Sequence, residues 1–296
     1  MTLDARLLQN ALLDHRDLDL QRARRVSYAI EQRFRYEYDA PVHSLRHRLI
    51  IVPPPSHGNQ YLRAHQLQVT GARARRRMHR DASGNVVAWL HAEQVLHAIE
   101  FRLSAIVERI RDDGPATLPA QALHSPRLLR HTPLTAPDDR LRALAAEIAA
   151  RPAGPLQRAR QVNDAVAAAL AYEDGVTSVH TTASEALAAG RGVCQDFAHV
   201  MLAICRLLGL PARYVSGHLI GQGGTHAWVE VIVPAGRRAQ AVAFDPCNGR
   251  PVDASYVTIA TGRDYADVAP TSGTFQGTAS GRLVCDRRVG VLAATA

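Results

Sequence analysis

The stretch "GRGVCQDFAHVMLAICRLLGLPARYVSGHL", Gly190–Leu219, decides the reading of the chain. Phe197, Met201, Ile204 and Leu208 fall on one face of an α-helix, and Gly209 with Pro211 stops it. Carried back one turn, the stripe reaches Cys194, so this thiol lies at the helix mouth and faces the buried side. Gly192, just before it, lets the backbone turn sharply into the helix. A helix N-terminus carries partial positive charge and unpaired N–H groups, which favour a thiolate and can hold an oxyanion. Cys205 lies ~20° from Cys194 around the helix but ~16 Å along it. That separation forbids a bridge, and within the apolar stripe Cys205 reads as core packing.

A cysteine nucleophile needs a base within hydrogen-bond reach, itself oriented by a third group. The next segments are "ARYVSGHLI", the turn "GQGG", "THAWVEVIVP", the turn "AGRR" and "AQAVAFDP", which read as three successive antiparallel strands. His226 opens the second strand and Asp245 closes the third, so the meander brings both to one end of the sheet. An Asp there would fix the imidazole tautomer and favour the imidazolium. Singly, each residue has a plainer reading: a core thiol, a solvated histidine, a turn aspartate. In the order Cys, His, Asp on helix, strand and strand they point to a catalytic triad. Trp228 shares the strand face of His226 and would shield the imidazole. Gln195 stands where it would support the oxyanion, and Asp196 reads as a helix cap.

Working outward, the 296 residues are 47% hydrophobic and 21% charged, which is the composition of a soluble globular protein large enough for two domains. Residues 1–25 form a polar leader. Residues 26–115 alternate apolar and polar positions in short runs and read as a β-rich domain, with Tyr28, Ile30, Gln32, Phe34, Tyr36 and Tyr38 on one strand face. Gly, Pro and Asp cluster near residue 115, where the period changes from two toward 3.6. Residues 116–296 then hold helices, among them "APDDRLRALAAEIAA" and "PLQRARQVNDAVAAALAY", followed by the strands above and a C-terminal β segment. The fold class is α+β, with the Cys-bearing helix packed on an antiparallel sheet that bears His and Asp.

The formal net charge is +8 and every basic side chain among the 35 is Arg, which reads as coding bias. No helix-turn-helix, zinc-finger or aromatic RNA-binding signature accompanies it, so no nucleic-acid partner is expected. The first 30 residues lack the apolar run of a signal peptide and no later run approaches the ~20 residues of a membrane span. A cytoplasmic protein without a membrane partner is the expectation. Its four cysteines, Cys194, Cys205, Cys247 and Cys285, fit neither a disulfide framework nor a zinc site, and no metal or cofactor is expected.

The blocks "GRGVCQDFAHVMLAICRLLGLPARYVSGHL", "THAWVEV" and "FDPCNGR" closely resemble the three catalytic blocks of the transglutaminase-like superfamily, whose members have a papain-like core. "YEYDAPVHSLRHRLIIVPPP" with "DASGNVVAWL" resembles the β-rich N-terminal region of bacterial transglutaminase-like proteins, and "DYADVAPTSGTFQGTASGRLVCDRRVGVL" their C-terminal segment. The resemblance covers the chain from about Val26 onward; the leader matches nothing. It implies Cys194 as nucleophile, His226 as base and Asp245 as orienting acid, acting on a side-chain or backbone amide of a protein or peptide. Water would resolve the acyl-enzyme in a peptidase or amidase, the favoured outcome, and a primary amine in a transglutaminase. A non-catalytic module on the same fold is a further alternative. Cys247 stands where relatives often carry Thr, as a second reactive thiol or a small loop residue. Tyr172, Thr181 and Thr182 match the family pattern without a derivable role. Calcium, used by some animal relatives, has no acidic loop here. The oligomeric state stays open.

Overall fold

The period-two alternation after Val26 is expressed as seven strands in the computed structural model, which describes residues 12–295. They are β1 (Arg25–Tyr38), β2 (Val42–Leu49), β3 (Ser56–His57), β4 (Gln60–Thr70), β5 (Ala74–Arg80), β6 (Val86–Val95) and β7 (Ala98–Ile110). Tyr28, Ile30, Gln32, Phe34 and Tyr38 of β1 are buried, as positions two apart on one pleated face must be. β8 (Thr117–Pro119), α1 (Pro126–Leu129), α2 (Asp139–Ala149), α3 (Pro155–Ala169), β9 (Ala171–Tyr172), α4 (Ala183–Ala189), β10 (Arg191–Gly192) and α5 (Cys194–Leu207) follow. The chain continues through β11 (Ala212–Leu219), β12 (His226–Ala235), β13 (Arg238–Asp245), β14 (Arg250–Pro251), β15 (Tyr256–Gly262) and α6 (Tyr265–Val268) to β16 (Thr271–Gln276) and β17 (Gly281–Thr295).

The core sheet runs β14-β13-β12-β11-β15, with β8 also pairing β13, and α5 packs on β11 and β12. The expected meander is β11, β12 and β13, antiparallel throughout. α5 is more deeply placed than a one-faced helix: Gln195 through Arg206 are all buried, because α2, α3 and α4 cover the side away from the sheet. Two of its buried polar residues are answered from neighbouring segments. His199 Nε2 accepts from the Tyr265 N–H at 3.2 Å, and Arg206 donates to Thr135 Oγ1 at 2.7 Å.

The division at residue 115 needs correcting at its C-terminal side. β16 pairs with β2, and β17 runs antiparallel beside β1 from Thr295 opposite Arg25 to Gly281 opposite Tyr38. Residues 271–295 thus complete the two β-rich sheets, β17-β1-β7-β4-β3 and β16-β2-β6-β5, so that along the chain the core lies between the two parts of that unit. The physical reason is the edge of β1, whose long row of backbone donors and acceptors needs a partner strand. Of the expected leader, residues 1–11 lie outside the described residues. His15–Asp17 form a single 3-10 turn, and Leu13 bridges Val291.

The β-rich unit also closes the open edge of the core sheet at β15. The Gln60 amide donates to the Thr258 carbonyl at 2.7 Å and accepts from the Thr258 N–H at 2.8 Å. Asn85 repeats this clasp on Thr261, with both distances 2.8 Å. Arg109 donates to the carbonyls of Asp253 and Tyr256, and Tyr28 to that of Ala254. On β12, buried Glu230 accepts from Arg213 Nε and meets His57 Nε2 of the β-rich unit, each at 2.6 Å.

Burial opposes the charge on Glu230, but Arg213 and His57 hold its carboxyl well below the usual range. Its contribution to stability is therefore complete above the ordinary carboxyl range and is lost progressively as pH falls from there toward the depressed value of the folded state. Glu230→Ala leaves two cationic or polar partners buried and unanswered, and should cost ~3–5 kcal/mol in urea unfolding. A loss below ~1 kcal/mol would show that the contact is not buried in solution.

Candidate active site

Gly190, at φ 65°, ends α4 in the left-handed conformation, and β10 then pairs in parallel with β9 before α5 starts at Cys194. Asp196 does cap this helix: its Oδ2 accepts from the Val193 N–H at 2.8 Å and from Thr177 Oγ1 at 2.7 Å. Gly192 is required for this arrangement by space rather than by a special turn, since a Cβ there would lie 2.6 Å from Asp196 Oδ2. Cys194 is thereby fixed at the first helical position, half-buried, on the wall of a cavity of about 800 Å³.

Across that cavity β12 begins with His226, whose Nε2 lies 2.7 Å from Asp245 Oδ2 at the end of β13. Cys194 and His226 line the same cavity, and the thiol lies close enough to the imidazole to act on its charge. Burial disfavours the imidazolium, but the hydrogen bond and charge of Asp245, with Cys194 acting in the same direction, carry His226 up to about 9. The structure thus brings all three expected residues together, at the ends of three elements.

Asp245 is fully buried, and five donors surround it. Oδ1 accepts from the N–H groups of Cys247 at 3.0 Å and Asn248 at 3.2 Å. Oδ2 accepts from Asn248 Nδ2 and from Tyr256 Oη, both at 2.6 Å, besides its contact with His226. Burial raises the Asp245 carboxyl, but His226, Asn248 and Tyr256 outweigh it and hold it below the ordinary value. Asn248 and Tyr256 are site residues that the sequence reading missed. An Asn two positions after an Asp-Pro pair is a turn signal that could have suggested the first. Nothing local marks Tyr256, which stands at the head of an ordinary apolar strand.

Trp228 lies where its strand position put it, 1% exposed, with its ring 6.3 Å from His226 and inclined by 30°. Tyr256 meets the same indole edge-on at 5.4 Å. Gly217, opposite His226 on β11, leaves room for that indole, because a Cβ would lie 2.4 Å from the ring. Gln195 is on the cavity wall with its amide nitrogen 3.5 Å from the Ser178 carbonyl. Cys247 shares the cavity, but burial and the nearby Asp245 push its thiol up to about 12. Cys205 is buried and pushed up to about 12 as well, mainly by burial. Tyr172 lines the cavity and donates to Asp174 at 2.9 Å, while Thr182 caps α4 through Glu185. Among the described residues no cluster of His, Cys, Asp or Glu is arranged to hold a metal, and no helix is long and apolar enough to cross a membrane.

Residues 142–246 match the model of the transglutaminase-like superfamily, and residues 28–108 that of the bacterial transglutaminase-like N-terminal region. An uncharacterized protein of Mycobacterium tuberculosis is 32% identical over 273 residues, covering 83% of this chain and 86% of its own. One from Mycobacterium leprae is 39% identical over 118 residues, covering 36% of this chain and 40% of its own. Among solved structures, a candidate cysteine protease from Cytophaga hutchinsonii aligns with a TM-score of 0.67 at 22% identity, covering 91% of each chain.

Asp245→Asn removes the charge and the oriented acceptor that oppose burial at His226. An NMR titration of the imidazole should then move from about 9 in the parent protein downward by ~1–3 pH units. An unmoved midpoint would break the assignment. Because the imidazolium is favoured in the folded state, its contribution to stability is full below pH 6.5 and is lost as pH rises through about 9.

Proposed function

The chain belongs to the transglutaminase-like superfamily, and from that premise we propose that it transfers acyl groups from protein or peptide amides to water through Cys194. The observation that carries the reading is Cys194 and His226 on the wall of one cavity, with the imidazole held from behind by the Asp245 carboxylate at 2.7 Å. Sulfur as thiolate attacks the amide carbonyl carbon, and the C–O π electrons move onto oxygen. The backbone N–H at the start of α5 faces that developing charge, as the first donors of a helix lack intrahelical partners. His226 then delivers its proton to the leaving nitrogen as the C–N bond breaks, giving the thioester and a free amine. Water adds to the thioester while His226 takes back a proton, and the acid leaves with the thiol restored. Asp245 stays ionised throughout, holding the ring and its charge.

Hydrolysis needs only water at the second step, and the cavity wall presents Tyr172, Tyr214, Ser216 and Thr225 as polar partners for it. An amine in place of water would make the same intermediate a crosslink.

Mass spectrometry of a peptide library incubated with the protein and a free primary amine separates these outcomes: new acid termini or deamidated side chains are expected, with amine adducts a minor product. Cys194→Ala should abolish turnover by roughly a thousandfold or more. The rate should fall above about pH 9 as His226 loses its proton. Iodoacetamide should label Cys194 selectively below pH 8, and slow, indiscriminate labelling of all four thiols would leave only a binding module.

A further inference from the structure

The cavity that holds Cys194 is also walled by the C-terminal strand, through Arg287 of β17. Arg287 stands opposite Gln32 in the β17–β1 ladder, so the two share a face. That face looks toward the core sheet, since the Gln32 amide reaches His218 of β11. The guanidinium lies over the Phe34 ring, 5.3 Å from its centre, a contact that positions it on this face.

No carboxylate among the described residues answers this cation. Its neighbour Asp286 is taken by Arg33 at 2.9 Å, and Asp174, the acid on the same cavity wall, accepts from Tyr172. Arg287 Nε is buried without a hydrogen-bond partner. A guanidinium packed on an aromatic ring, half-buried and unpaired at the wall of a reaction cavity is a receptor for a planar two-oxygen anion.

We propose that Arg287 binds a carboxylate of the acyl substrate, so that the enzyme acts on acidic peptides or amides, whose Asp, Glu or C-terminal carboxylate lies a short reach from the scissile bond. This rests on Cys194 being the nucleophile.

The test uses bromoacetyl-glycine probes of one, two and three glycines, each as the free acid and as the C-terminal amide, with Cys194 alkylation followed by mass spectrometry. For at least one length the acid should label roughly tenfold faster than the amide. That acid-to-amide ratio should fall to about one in Arg287→Gln, drop below one in Arg287→Glu, and largely survive in Arg287→Lys. Taking the ratio within each variant cancels any general change in thiol reactivity or in the pull of His226. An equal ratio in all four proteins overturns the role of Arg287 while leaving the nucleophile in place. Absence of Cys194 labelling by every probe removes the nucleophile reading, and this proposal with it.

Discussion

A carboxylate without any exposure must be answered by donors, and Asp245 sets that condition for the whole molecule. Its five donors come from three levels of structure. The turn after β13 supplies two N–H groups and the Asn248 amide, β12 supplies His226, and β15 supplies Tyr256. Displacing any one of these would leave a buried charge short of a partner, so the end of the core sheet has a single satisfactory arrangement. The charge on His226 follows in large part from it, because a fixed, ionised Asp245 helps a mostly buried imidazole to hold its proton.

The same condition gives the β-rich unit a mechanical part in the site. β15 is an edge strand of the core sheet, and an edge held only on one side drifts. Gln60 and Asn85 complete its outer backbone hydrogen bonds, and Arg109 takes the carbonyl of Tyr256 itself at 2.7 Å. A line of contacts therefore runs from the β-rich sheets through Tyr256 and Asp245 to His226. The return of β16 and β17 to β2 and β1 locks this frame around the core, so neither half presents its edges without the other.

Much of the site was legible because its three residues sit at ends of elements whose periods are local. The 3.6 spacing of Phe197, Met201 and Ile204 fixes α5 and puts Cys194 at its mouth, and two short turns force β11, β12 and β13 into a meander that gathers His226 and Asp245. What escaped was non-local. The pairing of β17 with β1 joins positions at opposite ends of the chain and leaves no trace in either segment's own pattern, so the composition change near residue 115 looked like the end of a unit that in fact resumes. Tyr256 and Arg287 escaped for the same reason. Both lie outside the ranges 28–108 and 142–246 that match the family, and only the tertiary pairing of their strands brings Tyr256 to Asp245 and Arg287 to the cavity.

The thiols show what the helix mouth alone does not explain. Cys247 lines the same cavity as Cys194 and is likewise half-buried, and burial together with Asp245 and Cys194 pushes its thiol up to about 12. Cys205 shares the helix of Cys194 and is pushed up to about 12 by burial. Position on the helix and position in the cavity are therefore each insufficient. Cys194 differs from both in facing an imidazole whose proton Asp245 helps to hold, and the reactivity proposed for it is as much a property of the buried carboxylate behind His226 as of the sulfur itself.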